Sequence, residues 1–153
     1  MMIDKDGIDA ALDQVLAGVG DKRRLLMPPP VFTTMQGEFI GFDRENKILQ
    51  ARFPVLAEQL NPYGSMQGGM IAAAIDNTLG PLSMLVAPPN FTRRLEIKYR
   101  RPVTPGLDYI TVIGKFLDQK KRQLFFRASV VDGDGNELAN GKAVHWVLDD
   151  DQL

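Results

Sequence analysis

The 153-residue sequence contains no cysteine and a single histidine. The first absence excludes disulfides, zinc-thiolate centres and cysteine nucleophiles, and the second excludes metal sites built on two histidines. Any histidine-dependent mechanism must run through His145. Charge of one sign is missing too: 18 basic and 19 acidic side chains leave a net charge of -1. There is no overall basic field to hold nucleic acid by counterion release, so nucleic acid is not an expected partner. The opening MMIDKDGIDAALDQ lacks a basic region followed by an apolar one, which leaves the cytoplasm as the expected location. No G-x-S-x-G, no P-loop and no strand-following G-x-G-x-x-G occurs, which removes serine-hydrolase, NTPase and dinucleotide readings. The chain does have the 44% hydrophobic and 24% charged residues of an ordinary soluble domain.

Ile8, Leu12, Val15, Leu16 and Val19 repeat at helical spacing, so residues 6 to 19 form an amphipathic helix at the periphery. Pro28, Pro29 and Pro30 read as a stiff extended connector, which divides the chain into an N-terminal helix with its linker, 1–30, and a main domain, 31–153. MQGEFIGFD and ILQARFPV, separated by Arg44 to Lys47, have hairpin spacing. A turn-rich stretch then leads into MIAAAIDNTLGPLSMLVA, whose alanines, leucines and methionines favour a long central helix. Asp76 and Asn77 in its middle, and Gly80 with Pro81 in its second half, argue against a membrane span.

Four strands follow: Phe91 to Tyr99, Leu107 to Leu117, Gln123 to Val131 and Leu138 to Leu148. DQKKRQ and DGDGNE are the turns before the last two. Strand after strand with short turns gives an α+β fold, an antiparallel sheet of about six strands with one long helix on a face. Several strands are apolar on both faces, as where Ile110, Val112 and Phe116 alternate with Tyr109 and Ile113. One helix covers one face, so either a second copy of the chain or the N-terminal helix must cover the other.

Asp132, Asp134 and Asn136 resemble the start of a calcium loop, but Glu137 and Ala143 stand where glycine and glutamate belong, so DGDGNE is a hairpin turn. His145, beside the only tryptophan, reads as a satisfied residue of the last strand. The segment with chemical content is NPYGSMQGGMIAAAIDNTLG, residues 61 to 80. Gly68 and Gly69 open the central helix, where unpaired N–H groups and the positive dipole end can hold an oxyanion, and glycine lets a carbonyl come close. Asp76, two turns further on, is a carboxylate on an apolar helix. It is either paired with Asn77, Thr78 or a neighbouring strand, or it is catalytic.

At these residues the chain resembles the hotdog-fold acyl-CoA thioesterases of the PaaI-like group. Their pattern is Asn, three residues to Gly, three more to His-Gly-Gly, and nine from that His to an acidic residue. Asn61, Gly64, Gln67, Gly68, Gly69 and Asp76 keep every spacing, and the resemblance extends over about residues 35 to 148, with Tyr99, Pro102 and Gly106. It implies that Asp76 activates water or attacks the thioester, that Gly68 offers its N–H to the carbonyl oxygen, and that Asn61 positions the carbonyl or the water. It places Thr92 where relatives carry a water-orienting serine, and Gly69 and Arg122 at the substrate, Arg122 toward a CoA phosphate. No metal or cofactor is implied. Gln67 replaces the histidine of the family and cannot titrate. The implied activity is hydrolysis of an acyl-CoA or related thioester by a dimer or a dimer of dimers, with no membrane partner. A non-catalytic acyl-CoA binder or oligomeric interaction protein is the alternative. A hydratase of the same fold lacks its Asp-x-x-x-x-His dyad here.

Helix geometry adds a constraint. Gly68 and Asp76 are eight residues apart, about 12 Å along the axis and about 80° around it, so one thioester cannot touch both within one chain. If both act, each site takes Gly68 from one subunit and Asp76 from another.

Overall fold

A computed structural model describes residues 1–19, 25–149 and 151. The chain begins with a short strand β1 (Met2–Ile3) and helix α1 (Lys5–Val19), then a one-turn helix α2 (Pro30–Thr34) and the hairpin β2 (Glu38–Asp43) and β3 (Ile48–Pro54). The long helix α3 (Gly68–Val86) precedes β4 (Asn90–Tyr99), β5 (Tyr109–Lys120), β6 (Gln123–Val131) and β7 (Glu137–Val147). All strand pairs are antiparallel, in the order β1-β2-β3-β5-β6-β7-β4. The α+β sheet on a long helix is therefore as expected, β1 being the strand beyond the anticipated six.

Ile71, Ala74, Ile75, Thr78, Leu79 and Leu82 recur every three or four residues along α3 and are all buried. They face Ile110 and Val112 of β5 and Leu124, Phe126, Ala128 and Val130 of β6, equally buried. Gly114 lets the helix approach β5 closely, because a Cβ there would lie 2.8 Å from Leu79 Cδ2. By length and composition α3 could cross a membrane, but its apolar stripe lies on the sheet. Pro81 removes one backbone bond, yet the helix continues through it to Val86, carried by the burial of Leu79, Pro81 and Leu82 around the break.

Helix α1 buries Ile8 and Leu12 in the same core and packs against β2 and α3. It lies in the helix layer, so it is not the cover for the outer sheet face. Three local expectations need correction. Pro30 does not extend the linker but starts α2 at its first position, where a missing N–H costs nothing. Strand β5 runs on to Lys120, because Asp118, Gln119 and Lys120 pair with Phe125, Leu124 and Gln123; the turn shrinks to Lys121, at φ 56°, and Arg122. Leu107 belongs to a short 3-10 turn before β5 rather than to the strand. The Asp132 turn is as read: its carboxylate accepts the amides of Asp134 and Asn136, both at 2.9 Å, and those bonds, Asn136 foremost, hold its pKa below the usual value.

The sheet ends at β4, a ten-residue edge strand with Phe91 and Tyr99 exposed. Helix α3 lies beside it. Every predicted site residue except Arg122 lies on α3, on this edge strand, or on the loop leading into the helix.

Candidate functional site

The first cluster forms at the start of α3. Loop residues 61 to 66 are held by the Asn61 carbonyl Oδ1, which accepts the amides of Tyr63 and Ser65 at 2.9 and 3.1 Å, and by Gly64, at φ +78°. Asn61 thus shapes the loop through its oxygen. Gln67 is the N-cap, exposed, with no side-chain bond to the helix. Its backbone is fixed instead: the amide donates to Gln59 O, and the carbonyl accepts Met70 and Ile71 N–H. Gly68 and Gly69 then stand in the first turn, where amides lack intrahelical partners.

Tyr99, at the end of β4, donates its hydroxyl to Gly68 O at 2.7 Å, and a Cβ on Gly68 would meet the ring at 3.3 Å. The close approach that favours glycine at 68 is therefore made by Tyr99, a residue to which the sequence assigns no role. A cleft of about 440 Å³ opens here, lined by Asn61, Tyr63, Gly68, Tyr99, Arg100 and Arg101.

The second cluster lies two turns along α3. Asp76 is exposed on the flank of the helix, so the expected burial cost does not arise within the protomer. Its partner is on the neighbouring strand: Thr92 Oγ1 donates to Asp76 Oδ1 at 2.9 Å. Asn77 and Thr78 turn back to the carbonyls of Ala73 and Ala74 instead. Thr92 Oγ1 also lies 3.3 Å from His145 Nε2, and His145 Nδ1 lies 2.8 Å from Asn90 Oδ1. A cleft of about 220 Å³ runs past these residues, with Gly80, Met84 and Phe91 on its walls.

Strand pairing explains the assembly. Thr92 and His145 are directly opposite in the β4–β7 ladder, and the register shifts between Thr92 and Arg94. Such a bulge re-aims side chains at sheet edges. Arg93 is turned outward, its guanidinium 4.1 Å from the Trp146 ring. Arg122 donates to Val147 O, pairs with Asp149 and lies 5.5 Å from the Trp146 ring.

His145 thus has a polar neighbour at each ring nitrogen, as expected of a strand residue held in place, and is also part of the Asp76 cluster, which the sequence did not suggest. The available signal was parity: Ala139, Gly141, Ala143 and His145 share the helix-facing side of β7. Burial, at 1% exposure, pushes its pKa down to about 4, with the Asp76 charge opposing that shift.

The sign of the resulting pH dependence follows. The unfolded chain takes up a proton near pH 6.5 and the folded one only near 4, so the unfolded state binds more protons between those values. Stability is fully present above about pH 6.5 and is lost as pH falls toward 4, by up to about 3 kcal/mol from this residue. Denaturant unfolding at pH 7 and pH 4.5 should show that loss, and it should shrink in a folded His145→Gln variant.

The model of the Thioesterase superfamily matches residues 63–139, about half of the chain and the whole span from Gly64 to Ala139. No curated protein matches the sequence significantly. Among solved structures, the PaaI protein of E. coli, from the phenylacetic acid degradation operon, superposes with TM-score 0.75 at 15% identity, covering 93% of this chain and 96% of that one. A phenylacetic acid degradation-related protein of Ralstonia eutropha superposes with TM-score 0.73 at 20% identity, over 87% and 98%. A Streptococcus mutans protein bound to acetyl-CoA gives TM-score 0.68 at 18% identity, over 84% and 94%. With a hotdog sheet on α3 and the family match running across α3 and β4, from Gly68 through Asp76 and Thr92 to Tyr99, the chain belongs to the thioesterase superfamily.

Proposed function

We propose that this protein hydrolyses an acyl-CoA or related thioester to the free acid and CoA, with Asp76 drawing a proton from water and Gly68 N–H receiving the carbonyl oxygen. The observation that carries the reading is the Asp76–Thr92 bond at 2.9 Å, which orients a carboxylate at the mouth of a cleft and leaves its other oxygen without a partner among the described residues. Thioester hydrolysis at neutral pH needs such a base, and it needs a donor for the developing oxyanion. The acetyl-CoA in the Streptococcus mutans structure supports a CoA ester as the substrate class.

The two clusters belong to one site only if two chains meet. Thr92 and Tyr99 mark their positions on β4, seven residues or about 23 Å apart, and β4 is an unpaired edge. Antiparallel pairing of two β4 strands about a two-fold axis between Leu95 and Glu96 sets Thr92 opposite the partner subunit's Tyr99. Asp76 then faces the partner subunit's Gly68. Pairing of this kind also satisfies the edge that would otherwise invite aggregation. The outer sheet face would serve a dimer of dimers.

The direct test is release of free CoA across a panel of short, long and aromatic acyl-CoAs. Turnover of any class supports the hydrolase. Saturable binding with no release supports the non-catalytic binder, which Gln67 in place of histidine keeps open. At Gln67 itself, an amide without useful proton affinity, a glutamate adds negative charge beside the oxyanion donors. Gln67→Glu should therefore lower kcat by about tenfold or more, while Gln67→His leaves it within a few-fold. Loss of turnover in a folded Gln67→His variant would show that the motif is misaligned.

A further inference from the structure

We infer that His145 is a positioning residue for Asp76, acting through Thr92 as the place where the proton drawn from water is held until the thiolate leaves. The inference rests on the hydrolytic reading of Asp76 and goes beyond it, because it gives the only histidine a role in moving protons.

The argument is a count of hydrogens along a fixed chain of atoms. Asn90 Nδ2 donates to Pro88 O at 2.9 Å, which fixes the amide so that its oxygen, not its nitrogen, faces His145. That oxygen is an acceptor 2.8 Å from Nδ1, so Nδ1 carries a hydrogen. In the neutral ring Nε2 then has only a lone pair. The lone pair points at Thr92 Oγ1, 3.3 Å away, and the same hydroxyl sits 2.9 Å from Asp76 Oδ1. A hydroxyl has one proton, and here it lies between two acceptors. It goes to the charged and nearer carboxylate, so the contact between Thr92 and His145 is left without a hydrogen. The chain from Asp76 to Asn90 is one proton short of complete.

One added proton completes it. When water attacks the thioester carbonyl, its O–H bond breaks as the O–C bond forms, and the proton reaches Asp76. Asp76 passes it to Thr92 Oγ1 while the original Thr92 proton moves to His145 Nε2, leaving a carboxylate and an imidazolium. As the C–S bond breaks, the same steps run backward, and the proton ends on the sulfur of the leaving thiolate. No oxidant or other reactant is needed.

The surroundings suit a transient store. From α3 the charged group facing the ring is Asp76. From β4 Asn90 and Thr92 face it, and from β6 Leu124 is paired opposite while the Phe126 ring lies 4.6 Å away; none of these is charged. Burial outweighs the opposing Asp76 charge and keeps the imidazole neutral at rest, with its pKa near 4, so a proton that reaches the ring is readily given back.

A single histidine makes the test unambiguous. Nitrogen-15 histidine NMR of the full chain at pH 7 should show one neutral ring protonated at Nδ1. A ring protonated at Nε2 would overturn the inference whatever the turnover. In steady-state kinetics with the best acyl-CoA of the panel, the wild type should show a bowed solvent-isotope proton inventory, and His145→Gln should make it linear and lower kcat by about tenfold or more with KM little changed. Because His145 is buried, Thr92→Val provides a second break in the chain with the ring intact, and Thr92→Ser should restore both kcat and the bowed inventory. Unchanged kcat and inventory in folded His145→Gln and Thr92→Val would overturn the relay and leave the hydrolase standing. Absence of CoA release from every ester by the wild type would overturn the hydrolase, and the relay with it.

Discussion

Asp76→Asn is expected to lower turnover at least about a hundredfold, about 2.7 kcal/mol of transition-state stabilisation, while the fold stays intact. The amide has the shape of the carboxylate, and its oxygen can still accept the Thr92 hydroxyl that now bonds Asp76 Oδ1. What it cannot do is take a proton from water or attack a thioester. Because Asp76 is exposed on the helix flank within the chain and its neighbours Asn77 and Thr78 bond to the helix backbone, little stability is at stake. KM should change less than kcat, since the carboxylate acts on water and not on the CoA moiety. The check is CoA release by the variant at saturating substrate, with circular dichroism and thermal unfolding alongside. Turnover equal to wild type in a folded Asp76→Asn protein would remove this residue from the mechanism.

How far the sequence reaches differs between fold and site. The central helix is legible because its alanines, leucines and methionines run through most of its nineteen residues, and the strands because β4 alternates and the others are apolar runs bounded by charged or glycine-rich turns. Elements of two and five residues, β1 and α2, are too short to show a period. The charged end of β5 reads as a turn because composition outweighs pairing there, whereas in the folded chain Asp118 to Lys120 extend a solvent-exposed ribbon. Strand order is a long-range property: β3 finds β5 across the whole of α3, and β4 returns to β7, and nothing local records either choice. The site divides in the same way. Asp76, Gly68 and Gln67 lie on one segment and can be found by spacing. The link from Asp76 to Thr92 spans 16 positions, and that from Thr92 to His145 spans 53, so the histidine is visible only once β4 and β7 are paired. Tyr99 is hidden for the same reason, 31 positions from the Gly68 carbonyl that it holds.

Mixing two inactive variants should restore activity if each site is built from two chains. The first variant is Asp76→Asn, which removes the base. The second is Gly68→Pro, which removes the backbone N–H proposed to receive the carbonyl oxygen. Proline is tolerated at this position for local reasons: Gly68 is the first residue of α3, where proline fits the helix and no backbone bond is lost. The preceding Gln67 is already extended, at φ -55° and ψ 135°, as a residue before proline must be. The Tyr99 ring, 3.3 Å from a Cβ at 68, must yield by a few tenths of an ångström, so the folded state of this variant is verified first by thermal unfolding. A dimer of one chain of each kind then has one site carrying both defects and one carrying neither. Equal mixing with random reassembly makes half of the dimers mixed, so about a quarter of the wild-type sites should return. Sites assembled within one chain predict no recovery at all, since every chain is defective. The 12 Å that helix geometry places between Gly68 and Asp76 allows the first outcome and opposes the second. Verified mixed dimers of folded subunits that stay inactive would therefore leave Asp76 and the helix N-terminus in separate roles, and Gly68 would have to work with a nearer group of its own chain such as Asn61.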